Sequence, residues 1–160
     1  MSGILTVKRP SKDEYYLGIA LAVSKRSTCL KRHYGAVIVK NNEIIATGYN
    51  GAPRGTESCY DCGHCKRMNV PHNTGDYSEC KSVHAEQNAI ISAARRDMIG
   101  STLYLAGEEW EDGVENEDEL WDPLPGWEQI QDAIPCPICS RMIKNAGIER
   151  VVNGGGDVCL

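Results

Sequence analysis

No run of apolar residues in this chain approaches the ~18 needed to cross a bilayer. The opening residues, MSGILTVKRPSKDEYY, lack the basic-then-apolar order of a secretion signal. Internal repeats and low-complexity tracts are also missing, which argues against a repeat architecture. These absences lead us to expect a soluble, cytoplasmic protein with no membrane partner. What remains fits a single domain spanning 1–160, because 160 residues, 41% of them hydrophobic, suffice for one core and leave too little for a second.

Basic residues are missing from one stretch in particular. Residues 107–134 hold eleven acids and no Lys or Arg, against a net charge of -5 for the whole chain, so the rest is net +6. A mildly basic body suits a small anion such as a nucleotide phosphate, whereas the acidic stretch would repel a long polyanion, so no nucleic-acid partner is expected. All three tryptophans, Trp110, Trp121 and Trp127, fall in the same stretch. Acid-rich segments tend to disorder, but three large aromatics argue that part of this one packs down. It reads as an insertion, either a lid or oligomer contact beside a pocket or a solvated excursion from the surface.

The remaining segments alternate between strand and helix patterns. SKDEYYLGIALAVSKRS predicts a helix over about 12–25, N-capped by Ser11, with Tyr15, Ile19, Ala22 and Val23 on one face. Apolar strands at 35–40 and 43–49 flank Asn41-Asn42 as a hairpin. Residues 50–82 show no period and are rich in Gly, Pro, Asp, Asn and Cys. A loop that long needs a staple, and its four cysteines could supply one through a metal. HAEQNAIISAARRD reads as a helix with Ala85, Ala89, Ala93 and Ile90 inward, STLYLAG as a third strand, CPICSRMIKNAGI as a helix stopped by Gly147, and ERVVN as a fourth strand. The alternation indicates a layered α/β domain.

The eight cysteines carry the chemistry. Without a secretion signal, C-x-x-C spacing reads better as metal ligation than as disulfides, and Cys159 looks spare. Cys136 and Cys139, at i and i+3 in the first turn of a helix, turn their sulfurs to one face, where the helix N-terminus favours thiolates. His84 opens another helix and Glu86 follows two residues later. Three protein ligands with a fourth position open is the arrangement of a catalytic zinc, which brings the pKa of water toward ~7 and leaves Glu86 as proton carrier. A zinc that only braces the fold is the alternative, and the adjacent Glu86 weighs against it. H-x-E followed by P-C-x-x-C is the recognised signature of zinc-dependent nucleobase deaminases, in which the Glu is acid and base but not a ligand.

With HAEQNAI and PCPIC placed, the sequence resembles the deoxycytidylate (dCMP) deaminase branch of the cytidine deaminase-like superfamily. STCLKRHYGAVIV at 27–39, GYNGAPRG at 48–55 and NAGIERVV at 145–152 match that branch. The resemblance implies a three-layer α/β/α sandwich around a central mixed sheet of about five strands. It implies Zn2+ on His84, Cys136 and Cys139, Glu86 as proton shuttle, and hydrolytic deamination of dCMP to dUMP and ammonia, which supplies dUMP for dTMP synthesis. Asn50 would help hold the sugar of the substrate, although N-G is also a common turn pair. Gly48, Tyr49, Asn50 and Gly51 would bind a nucleotide effector, dCTP or dTTP with Mg2+.

A second, structural zinc would sit on Cys29, Cys59, Cys65 and Cys80, with Cys62, His64 and His72 as neighbours that leave the register open. A homo-oligomer, hexamer or dimer, is implied as well. Arg26 is a candidate for the substrate phosphate, against the plainer reading of a solvated arginine. Arg95 falls on nearly the same helix face as His84 but ~16 Å along the axis, too far for the same pocket. The acidic insertion directly before the PCPIC ligands departs from the family pattern. Rival readings are a related deaminase of cytidine, dCTP, guanine or tRNA adenosine, and a zinc-binding interaction module without catalysis.

Overall fold

A computed structural model of the chain describes residues 7–110 and 126–160. Its helices are α1 (Lys12–Ser24), α2 (Cys59–Cys62), α3 (Ala85–Ile91), α4 (Arg95–Met98) and α5 (Pro137–Ala146). Its strands are β1 (Arg32–Lys40), β2 (Glu43–Tyr49), β3 (Thr102–Trp110), β4 (Trp127–Ile130), β5 (Arg150–Asn153) and β6 (Gly156–Val158). The strands form one sheet in the order β2-β1-β3-β5-β6, with β4 added to the far end of β3. β3 and β5 run parallel and the other pairs antiparallel. Asn41 and Asn42, both at positive φ, make the turn between β1 and β2 as the sequence predicts.

Alternation along the strands builds the layers. Ala36, Ile38, Leu103, Leu105 and Val151 belong to a core shared with Ala85 and Ala89 of α3 and Ile143 of α5. Their neighbours Val37, Val39, Tyr104, Ala106 and Val152 pack on Tyr16 and Ala20 of α1 on the opposite face. The three layers and the mixed sheet are those the sequence implies, and one strand more than about five is present.

Four local expectations change. The buried face of α1 is Tyr16, Ala20 and Ser24, while Tyr15 and Ala22 are exposed. Apolar residues ring this helix, so periodicity does not single out a face, and the small Ala20 and Ser24 take the closest approach to the sheet. The helix predicted over 84–97 divides, because Ala94 is extended and the Ser92 hydroxyl donates to the Asn88 carbonyl at 2.9 Å, competing with the helical ladder. Arg95 therefore does not continue the axis from His84, and its Nε donates to the Asn145 carbonyl.

The 50–82 segment contains the single turn α2, with Ser58 as N-cap. Buried Arg67 holds the rest of it, donating to the Asp76, Thr74 and Pro71 carbonyls and lying over the Tyr77 ring. Finally, the acidic stretch is not an excursion at its ends. β3 runs on to Trp110 and pairs with β4 from Gly107↔Ile130 to Trp110↔Trp127. Glu108 is fully buried against His33, and the half-exposed Glu109 pairs with Arg32 at 2.7 Å, so two of the eleven acids have partners within the fold. Residues 111–125, with Trp121 and most of the expected lid or contact, lie outside the described residues.

Candidate active site

His84 and Cys136 are the residues immediately before α3 and α5, and Cys139 lies in the first turn of α5. Pro137 sits at the start of α5, where its missing N–H costs nothing, and the Cys136 sulfur accepts the Cys139 N–H at 3.4 Å. Gly147 ends α5 at φ 83, a left-handed conformation that glycine adopts without strain. His84 is fixed from two directions. Its N–H donates to the Gln87 side chain at 2.9 Å, and the preceding Val83 forms a two-bond bridge with Gly51. Thus the GYNG segment is tied directly to the residue that precedes His84.

His84 Nδ1 lies 3.5 Å from the Cys136 sulfur and 3.4 Å from the Cys139 sulfur. Ligand lengths of about 2.0 Å for nitrogen and 2.3 Å for sulfur, at tetrahedral angles, place N and S about 3.5 Å apart. The donor set therefore fits zinc. Among the described residues this is the one group of three metal-capable side chains whose donor atoms fall within 4.8 Å of one another. A helix N-terminus alone does not keep the Cys139 sulfur ionised: burial pushes its thiol well up, with the Glu86 carboxylate adding to it. The charge of the cation itself is what would hold it as a thiolate.

Glu86 is 5% exposed. Burial raises its carboxyl to about 7, against the opposing pull of its own N–H and of the Cys139 thiol. A carboxyl poised there can both take and give a proton at neutral pH. Tyr34 is close enough for its phenol to feel that carboxylate. Burial pushes the phenol up, Glu86 adds to the rise, and Arg32, which donates to its oxygen at 2.7 Å, opposes it.

Apart from Asn50, the other sequence-derived site residues line cavities that do not include these donors. Asn50 is buried with its amide clamped to β1, Oδ1 accepting the Tyr34 N–H at 2.7 Å and Nδ2 donating to the Arg32 carbonyl at 2.9 Å. One amide hydrogen and one lone pair remain for a ligand. Gly48, Tyr49 and Gly51 line a cavity of about 280 Å³ with Arg54, Thr56 and Asn88. Gly48 also lets α3 lie against β2, since a Cβ there would stand 2.3 Å from the Ala89 nitrogen. Arg26 is exposed and lines a larger cavity, about 670 Å³, with His33, Trp110 and Trp127. His33 shares strand parity with Val37 and Val39, so its side chain leaves the sheet on the α1 face.

Cys29, Cys59, Cys65 and Cys80 line one cavity of about 90 Å³ together with Cys62 and His64. His72 is not in that lining and packs near Tyr34, with ring centroids 6.4 Å apart. Burial raises the thiols of Cys29 and Cys59, the latter to about 11, and the neighbouring sulfurs add to both. Sequence reasoning missed Gln87, Tyr34 and the buried pair His33–Glu108. Only Gln87 left a signal, as a Gln three residues into a helix start.

Comparison with known proteins agrees with this geometry. The family model for the cytidine and deoxycytidylate deaminase zinc-binding region matches residues 10–154. A deoxycytidylate deaminase of Mycobacterium phage D29 is 39% identical over 150 residues, covering 91% of this chain and 96% of the relative. One from Schizosaccharomyces pombe is 36% identical over 145 residues, 90% of this chain, which spans only 37% of that protein. A crystal structure of a dCMP deaminase from the cyanophage S-TIM5 in complex with dCMP and dUMP superposes with a TM-score of 0.57 at 26% identity, covering 91% of this chain and 82% of that one. With its zinc-binding region matched almost from end to end, the chain belongs to the cytidine and deoxycytidylate deaminase family.

Proposed function

We propose that this protein hydrolyses dCMP to dUMP and ammonia with zinc on His84, Cys136 and Cys139, supplying dUMP for dTMP synthesis. The observation that carries the reading is the convergence of three correctly spaced donors beside the buried carboxyl of Glu86. The named activity of relatives up to 39% identical, and a structural neighbour holding dCMP and dUMP, support the choice of substrate.

Zinc at this site would supply the Lewis acid that makes water nucleophilic near neutral pH. Glu86 relays the two protons of the attacking water, one to ring N3 and one to the departing amine nitrogen. One water is consumed, the C4–N bond breaks, and a carbonyl replaces the amine as ammonia leaves. Asn50 holds the sugar with its spare amide hydrogen and lone pair, and Arg26 meets the phosphate.

Glu86→Gln should retain zinc, measured by metal analysis, and lose turnover by ~10²–10⁴-fold. Wild-type protein that releases no ammonia from dCMP, or that turns over deoxycytidine as fast as dCMP, would overturn the reading. We further propose that Cys29, Cys59, Cys65 and Cys80 close on a structural zinc. We also propose that the cavity at Gly48, Tyr49 and Gly51 takes dCTP or dTTP with Mg2+ as effector, in a homo-oligomer of two or six chains. Titration with each triphosphate at sub-saturating dCMP tests the effectors, and sedimentation tests the assembly.

A further inference from the structure

Glu108 is fully buried, and one of its oxygens, Oε2, has no hydrogen-bond partner among the described residues. An apolar residue of similar size would occupy the same place without the desolvation cost of a carboxyl. Its other oxygen meets His33 Nδ1 at 2.9 Å. A carbonyl can only accept, so His33 Nε2 donates to the Cys29 carbonyl, at 2.8 Å. The indole of Trp127 lies flat on the imidazole, centroids 3.6 Å apart and planes 15° from parallel. Glu108 and Trp127 both come from the acidic stretch.

The hydrogen bonds do not stop at Cys29. Its N–H donates to the Ser27 hydroxyl at 3.2 Å, and that hydroxyl donates to the Asn50 carbonyl at 2.7 Å. Asn50 in turn clamps Tyr34 and Arg32 through its side chain, and Arg32 returns to the acidic stretch through Glu109. Ser27, His33, Asn50 and Glu108 are all buried. A chain of buried polar groups in a low dielectric holds its members more rigidly than isolated pairs do.

We propose that Glu108 and His33 are positioning residues, through which the hairpin of β3 and β4 sets the orientation of Asn50 at the substrate pocket. The role of Asn50 rests on the function proposed above. The ends of the acidic stretch are thus part of how the pocket is held.

The test uses the full-length zinc-loaded protein and two readouts. Glu108→Gln keeps the size and replaces the buried carboxyl with an amide. It should raise KM for dCMP roughly tenfold with kcat within about twofold, whereas Gln129→Ala, exposed on β4, should change neither. In an Asn50→Ala background, Glu108→Gln should add little further to KM, as expected for residues acting through one another. Independently of any substrate, amide hydrogen exchange at Tyr34, whose N–H is held by Asn50, should quicken about tenfold in Glu108→Gln and not in Gln129→Ala.

Unchanged Tyr34 exchange overturns the inference, and so does full additivity with Asn50→Ala. If Glu108→Gln does not fold, His33→Gln is carried through the same cycle and judged by the same outcomes. Wild-type protein inert on dCMP would count against the proposed function, while the exchange readout would still decide the positioning role.

Discussion

Two groups of cysteines sit in this domain, and they are built differently. Cys136 and Cys139 stand at the first turn of a ten-residue helix, and His84 at the start of another, so regular structure brings three donors within 4.8 Å. Cys29, Cys59, Cys65 and Cys80 come from loops and a single helical turn, and they surround a cavity without meeting so closely. The first arrangement is positioned by the starts of two helices packed on the sheet. In the second, Arg67 and its carbonyl partners hold the loop, and the proposed structural zinc would fix where the thiols point. Donors placed by regular structure suit a centre that reacts, and a cluster that a cation would tighten suits one that braces.

The sharpest way to break that contrast is to remove one thiol from each. Cys136→Ser should abolish turnover, by at least ~10³-fold, while leaving most of the thermal stability. Cys59→Ser should do the reverse, keeping most activity per folded molecule and costing on the order of 3 kcal/mol of stability. Metal analysis of the wild type should return two zinc ions per chain, and a value of one would leave the loop cysteines without their proposed role. Equal effects of the two substitutions would erase the distinction altogether.

A smaller effect separates scaffold from ligand. Gly48→Ala places a methyl group where the α3 backbone passes at 2.3 Å, so it should cost about 1–3 kcal/mol and lower turnover by displacing His84. The smallest concerns a pair remote from both centres. Asp13 is held below the usual carboxylate range chiefly by its hydrogen bond to Arg150. Its contribution is therefore present above pH 3.8 and is lost as pH falls through the depressed value. Melting curves of wild type and Asp13→Asn should differ by no more than about 1 kcal/mol near neutrality and converge in acid. Neither zinc content nor turnover should move.

The grouping of His84, Cys136 and Cys139 was legible because its signal is local: short spacings in HAE and PCPIC translate directly into one face at a helix start. The strands of the sheet interior were legible for the same reason, from runs such as GAVIV and TLYLA. What escaped depended on partners far along the chain. β4 lies among acids that argue for solvent, and only its pairing with β3 makes it a strand. The burial of Glu108 requires His33, 75 residues away. Tyr16 rather than Tyr15 faces inward because of what the sheet presents, which the helix sequence does not encode. The division after Ile91 turns on one serine hydroxyl, weaker than the helical pattern around it.

Trp110 and Trp127 are register partners on adjacent strands. Positions 110 and 127 therefore lie side by side in space. Such a junction works as a socket: whatever length is carried between the two tryptophans, closing it costs only a slowly growing loop entropy and shifts no strand register. Here the domain offers a site for grafting or deletion within reach of its pocket. A shortened variant with a two-residue turn in place of 111–125 would be the natural starting scaffold.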